Sequence, residues 1–239
     1  MSRQLALRFR KKRVRRERRG GARVGAGRPP KGERAGVSHL RRPVLRECFP
    51  VHVTVRVQRG LRSLRASKYY QAIYRAFCHG CSRDGFRIVQ YSVQGNHIHL
   101  IAEASDERSL SRGMQGFCIR VAKAVNRAMD RVGSVFADRY HAVILRSGQQ
   151  VRNALAYVLN NAKRHALLLG QSRWYKRSWV DPCSSAPFFD GWKPECVRWV
   201  PAQPERTPVA PAQTFLLATG WRLYGLLDTV EVPGPRTLF

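Results

Sequence analysis

The sequence predicts an α+β fold, a ferredoxin-like split βαβ antiparallel sheet with helices on one face, flanked by a basic disordered N-terminal tail and a C-terminal extension. Three observations predict it. Short segments with apolar residues at every second position alternate with segments of helical period, turn residues separate them, and their order is strand, helix, strand, strand, helix, strand. At 239 residues and 44% hydrophobic, the chain can bury one substantial core with extensions.

The first strand is expected where His52-Val53-Thr54-Val55-Arg56-Val57 alternates as a half-buried segment. Residues 67 to 83 carry Tyr70, Ile73, Tyr74 and Phe77 at helical spacing, and Gly85 precedes a second strand over residues 87 to 93. Gly95-Asn96 reads as a hairpin turn into a third strand from His97 to Glu103, which puts His97, His99 and Ile101 on one face. In residues 108 to 130, Leu110, Met114, Phe117, Val121 and Val125 recur at three or four, the stripe of a helix packed on a sheet. After Gly133, the segment to Tyr140 leads into a strand over residues 141 to 145, and residues 149 to 168 are expected to form a third helix. Residues 171 to 239 are rich in Trp, Pro and Gly, with a short helical pattern around Thr214 to Leu227, and read as an accessory wrap. The domain division is thus a basic tail (1–46), a catalytic domain (47–170) and a C-terminal wrap (171–239).

The 44 Lys and Arg against 15 Asp and Glu give a net charge of +29, which implies a polyanionic partner. Nucleic acid is the leading candidate. An anionic membrane surface is the rival, but no 18-residue apolar span is present and the basic N-terminus lacks the apolar run of a signal peptide. The expected setting is cytoplasmic, in a bacterial cell and at its nucleoid, with no membrane association. The six cysteines form no dense framework and are expected to stay reduced; Cys78 and Cys81 have C-x-x-C spacing, but a zinc site would need two more ligands, with Cys183 and Cys196 as candidates.

The tail concentrates the charge. Residues 1 to 46 hold 17 Lys and Arg against two acids, with too few apolar residues to fold alone. Its run Arg10-Lys11-Lys12-Arg13 and the segment from Gly27 through Arg28 to Lys31 are candidate DNA contacts. The Gly-Arg-Pro core of that segment resembles an AT-hook for the minor groove of A/T-rich DNA. The plainer reading is a solvated tail making non-specific phosphate contacts.

His97 and His99, two apart on one strand, point the same way and can share a metal ion. Alone, such a pair more often serves packing or surface roles. Its context narrows the reading. Gln94-Gly95-Asn96-His97-Ile98-His99-Leu100-Ile101 resembles the His-hydrophobic-His (HUH) motif of one-tyrosine insertion-sequence transposases, specifically their REP-associated branch. Gly133-Ser134-Val135-Phe136-Ala137-Asp138-Arg139-Tyr140 is similar to that branch's segment before its last core strand, and Tyr157 to His165 resembles its nucleophile helix. The resemblance spans about residues 45 to 165, with weaker echoes at Asp181 to Ala186 and Gly220 to Gly225. One departure stands out: Asn161-Ala162 replaces the family's frequent Asn-Pro, so the helix need not break there.

Tyr157 and Asn161 are four apart and share a helix face. If that face meets His97 and His99, Asn161 can supply a third, oxygen ligand beside the nucleophile Tyr157, an arrangement that the resemblance also implies. Magnesium or manganese suits two imidazoles with an oxygen ligand and a phosphate substrate. The resemblance implies attack by Tyr157 on single-stranded DNA near a hairpin, a covalent 5′ phosphotyrosine and a free 3′ hydroxyl. A free phenol titrates near about 10, so it needs activation; Lys163, Arg164 and His165 are close in sequence, with none singled out. His165 also reads as a polar residue near a helix end. Tyr140 is the alternative nucleophile. Arg139, Arg146, Lys163 and Arg164 are candidate phosphate contacts. A homodimer is possible, since relatives include dimers with shared sites as well as monomers.

Three other readings compete. A catalytically silent or domesticated hairpin-binding protein of the same fold would have lost a ligand or the tyrosine, and none is lost. A histidine-triad nucleotide hydrolase needs a third His where Ile101 stands. An RNA-binding sheet would show aromatic stacking pairs on central strands, and none is evident.

Overall fold

Alternation makes the first strand two-faced: in β1 (Val51–Arg56) the buried Val51, Val53 and Val55 point one way and His52, Thr54 and Arg56 the other. The computed structural model describes residues 43–168, 170, 178–196 and 206–231. Arg10, Lys11, Lys12, Arg13, Arg28 and Lys31, with most of the basic tail, lie outside the described residues. Among those described, β1 is followed by α1 (Ser67–Cys78), β2 (Ser82–Arg83), β3 (Phe86–Val93), β4 (His97–Ala104), α2 (Glu107–Ala128), β5 (His141–Ile144), α3 (Gly148–Leu159), α4 (Asn161–Leu168) and a short α5 (Phe215–Ala218). The antiparallel sheet has the order β2-β3-β4-β1-β5.

The ends of the elements follow local chemistry. Asp106 caps α2 by accepting from the Ser109 amide at 2.6 Å, and Ser147 caps α3 through the Gln150 amide at 3.2 Å. α1 stops at Cys78, short of the expected residue 83. The Gly80 amide donates to the Phe77 carbonyl at 2.9 Å, tightening the last turn, and Ser82–Arg83 then pair with β3 instead.

The expectation of helices on one face holds for α1 and α2. They cover the valine face of β1 and the Ile98, Leu100 and Ala102 face of β4, with Phe77 stacked on Tyr91 at 4.0 Å and against Phe117 at 4.9 Å. A fully buried apolar side chain of this size contributes about 1.5–3 kcal/mol, so the stripe of Met114, Phe117, Val121 and Val125 outweighs any cap. Gly113 permits the approach, since a Cβ there would stand 2.2 Å from the Phe86 ring. α3 lies on the opposite face, with Val89 and Ile101 beneath it and Phe189, Trp192, Leu217, Trp221 and Leu227 of the C-terminal extension in the same cluster.

The third helix does not run unbroken through residue 168. It divides at Asn160 (φ −100°, ψ 10°), whose side-chain amide donates to the Asp228 carbonyl at 3.0 Å and the Glu231 carbonyl at 2.8 Å. A proline is therefore not needed for the break: an asparagine drawn toward the C-terminal extension marks it.

The extension also closes the free edge of β3 beyond β2. The Val93 amide donates to the Cys183 carbonyl (2.8 Å), the Ser185 amide to the Tyr91 carbonyl (2.9 Å) and the Ala210 amide to the Ile88 carbonyl (2.9 Å). Such pairing removes a template for aggregation. Two carboxylates anchor it. Asp181 accepts a bidentate pair from Arg65 at 2.7 and 2.8 Å. Glu103, 3% exposed, accepts from the amides of Gln213 and Thr214, the Thr214 hydroxyl and Arg87. Glu103→Ala leaves these donors without their acceptor and is expected to cost about 3 kcal/mol, read as a lower urea midpoint at unchanged slope. A cost under about 1 kcal/mol would mean that the extension is held elsewhere.

Candidate active site

β1 and β4 are neighbours in antiparallel register, with Thr54 opposite His99 and Arg56 opposite His97. This pairing places His52, Thr54, Arg56, His97 and His99 on the face turned toward α3. The His97 and His99 ring centroids are 4.6 Å apart at 88°. His97 Nδ1 is 2.7 Å from Asn96 Oδ1, and His99 Nδ1 lies 3.2 Å from His52 Nε2 and 3.1 Å from Thr54 Oγ1. Both Nδ1 atoms are therefore engaged, and each ring keeps its Nε2 for another partner.

Tyr157 on α3 meets these rings edge-on, 5.2 Å from the His99 centroid and 5.9 Å from that of His52. His165 on α4 stands 6.1 Å from His97. Asn161 opens α4 directly after the break at Asn160 and is 1% exposed. Arg164 sets its guanidinium carbon 5.4 Å from the Tyr157 ring centroid. Within one chain the Tyr157 ring thus meets His99 and His52, with His97 on the other side of His99.

Burial governs the charge state. It pushes His97 down to about 4, helped by the nearby charges of His165 and Arg56, and pushes His52 down to about 4, helped by His141. His99 falls well below its usual value for the same reason, with His52 and His97 adding to the effect, and His165 is lowered by burial, Arg164 and Arg65. The imidazoles of His52, His97 and His99 are neutral at pH 7, as metal ligation requires.

The donor set fits a divalent cation. His99 Nε2 and both side-chain polar atoms of Asn161 are buried and make no hydrogen bond among the described residues. Orphaned buried polar atoms of this kind call for a missing partner. Two imidazole nitrogens and an amide oxygen form a mixed set that Mg²⁺ or Mn²⁺ accepts with positions left open. Beside His97 runs a groove of about 720 Å³, lined in part by Ser63, Arg65, Asn96, His165 and Trp179.

Other expected site residues fall elsewhere. Lys163 is 1% exposed, too deeply buried for a phosphate contact; its ammonium lies 5.6 Å from the Trp179 ring centroid, and burial lowers it to about 8 against the opposing pull of Asp228. Helical period explains the correction, because Lys163 is two residues from the exposed His165 on α4 and so points into the packed side of that helix. Tyr140 packs against the core on the α1 and α2 side of the sheet, away from the imidazoles. Arg139 is half-buried; Arg146 is exposed at the end of β5, its guanidinium 5.8 Å from the Phe49 ring centroid. All six cysteines are free thiols. Cys78 and Cys81 donate to the carbonyls of Arg206 and Thr207, and among the described residues no three His, Cys, Asp or Glu side chains are placed to hold a metal ion.

The residues missed in the sequence are His52 and Thr54. Their signal was available: on the first strand they alternate with the valines, and pairing with the third strand must bring them beside His99.

Residues 49–161 match the family model described as "Transposase IS200 like". Among solved structures, a REP-associated tyrosine transposase bound to a REP hairpin is similar at 20% identity and a TM-score of 0.47, over 62% of this chain and 82% of that one. A crystal structure from Deinococcus radiodurans R1, described as a candidate transposase, is similar at 11% identity and a TM-score of 0.35, over 51% of this chain and 89% of that one. No curated protein matches the chain. The family match begins at Phe49, just before β1, and ends at Asn161; it takes in both imidazoles and the tyrosine, and over that segment, just under half of the chain, the protein is similar to the IS200-like transposase family.

Proposed function

We propose that this protein cleaves and rejoins single-stranded DNA beside a hairpin through a covalent 5′-phosphotyrosine at Tyr157, using Mg²⁺ or Mn²⁺. One observation carries the reading: the Tyr157 ring stands 5.2 Å from that of His99 in the same chain, and His99 Nε2 is buried with no hydrogen bond among the described residues. His97, His99 and Asn161 would hold the cation. When bound, it would polarise the scissile phosphate and offset charge developing in the transition state.

The chain's own groups do the rest. The Tyr157 oxygen forms a bond to phosphorus as the bond to the 3′ oxygen breaks; the electron pair goes to that oxygen, which leaves as a 3′ hydroxyl after taking a proton. The reverse attack by a 3′ hydroxyl rejoins the strand without ATP. The Arg164 guanidinium, close to the Tyr157 ring, is placed to pair with the scissile phosphate. The basic tail adds phosphate contacts that make binding steeply salt-dependent.

The test incubates end-labelled single-stranded hairpin DNA with randomised flanks and Mn²⁺, then looks for a protein–DNA adduct on a denaturing gel. The expected result is an adduct with Mn²⁺ and none with EDTA. An adduct indifferent to EDTA would remove the cation from the reading, and hairpin binding without any adduct would favour a silent binder.

A further inference from the structure

We infer that His52 on β1 is a positioning residue that sets which nitrogen of His99 carries the proton, and so aims a bare Nε2 lone pair at the cation. The inference rests on the metal-site reading above. His52 is 7% exposed and lies edge to edge with His99, ring centroids 5.3 Å apart and planes 25° apart, and its Nε2 lies 3.2 Å from His99 Nδ1. The other nitrogen of His99, Nε2, is buried with no hydrogen bond among the described residues.

A neutral imidazole has one N–H and one lone pair. If the proton sits on Nε2 of His99, the ring buries a donor with nothing to receive it and cannot bind a cation there. If it sits on Nδ1, that N–H donates to His52 Nε2, and the lone pair at Nε2 is free to ligate. The Thr54 hydroxyl, 3.1 Å from the same Nδ1, can donate as well as accept, so by itself it favours neither form. His52 decides between them when its own proton is on Nδ1 and its Nε2 accepts. His97 has a simpler arrangement: its Nδ1 is 2.7 Å from the Asn96 side-chain oxygen, which can only accept. His97 thus has an acceptor beside it in the chain, and His99 has in His52, 47 residues earlier on the neighbouring strand, a nitrogen that accepts when the His52 proton is on Nδ1. Partners of this kind fix ring orientation and raise ligand basicity, and losing one lowers metal affinity by about 10–100-fold.

The test compares wild type with His52→Phe, which keeps a ring beside His99 but offers no acceptor, and His52→Gln, whose Oε1 can take the place of Nε2. Mn²⁺ affinity is read by electron paramagnetic resonance titration of the full-length protein without DNA, and the His99 protonation pattern by long-range ¹⁵N correlation spectra of the metal-free protein. We expect His99 to be protonated on Nδ1 in wild type, Mn²⁺ binding to weaken at least about tenfold in His52→Phe, and His52→Gln to recover most of that loss. Wild-type His99 protonated on Nε2, or His52→Phe binding Mn²⁺ as tightly as wild type, would overturn the inference while leaving the metal site standing. A wild-type protein with no Mn²⁺ affinity would overturn the metal-site reading and this inference with it. The wild-type spectrum needs no variant, so it decides even if His52→Phe fails to fold.

Discussion

Tyr157→Phe is expected to abolish the covalent protein–DNA adduct, a fall of about 10⁴-fold or more in cleavage, while leaving the fold and hairpin binding intact. The phenyl ring keeps the edge-on packing against His99 and His52, so only the attacking oxygen is lost. Because Tyr157 is half-buried and its oxygen makes no hydrogen bond among the described residues, the melting temperature should move little. Tyr140→Phe serves as the control. Tyr140 packs on the far side of the sheet from the imidazoles, so this variant should form adduct at the wild-type rate. Adduct lost in Tyr140→Phe and kept in Tyr157→Phe would transfer the nucleophile to a residue on the wrong face and undo the assignment of α3.

The second large effect is on the cation site. His99→Ala is expected to lower the cleavage rate by about 10²–10³-fold, and His97→Ala to lower it comparably. Combining the two should add little, because ligands that hold one ion act as a unit and their losses do not sum. The informative measurement is therefore the double variant at saturating Mn²⁺. If each single change costs a modest factor and the double change costs their product, the two rings act independently and are not sharing an ion.

Much of this arrangement was legible in advance because period-two and period-3.6 patterns are local. The valines of β1, the hairpin at Gly95-Asn96 and the α2 stripe each declare themselves within a dozen residues, and the structure has them at nearly the expected bounds. The His97 and His99 pair needed nothing beyond strand alternation. What the chain did not reveal depends on tertiary partners. The break at Asn160 comes from carbonyls of Asp228 and Glu231, some seventy residues away. Lys163 looked like a surface cation in a basic stretch, and only the packing of α4 against Trp179 turns it inward. The two-residue strand Ser82–Arg83 is too short to show a period at all. His52 was hidden differently: its face was readable, but its significance appears only when β1 is laid beside β4.

The apolar cluster around α3 includes Val180, Ala186, Phe189, Trp192, Leu217, Trp221 and Leu227, all downstream of the last residue that matches the family model. A ribosome that has just finished residue 161 has made His97, His99, Tyr157 and Asn161, but none of the roof that buries Leu155, Val158 and Leu159. A polypeptide trimmed to the recognisable motif would be complete as chemistry and unfinished as an object, with a greasy helix facing water. The smallest working unit is therefore set by what must be kept dry around the tyrosine's helix.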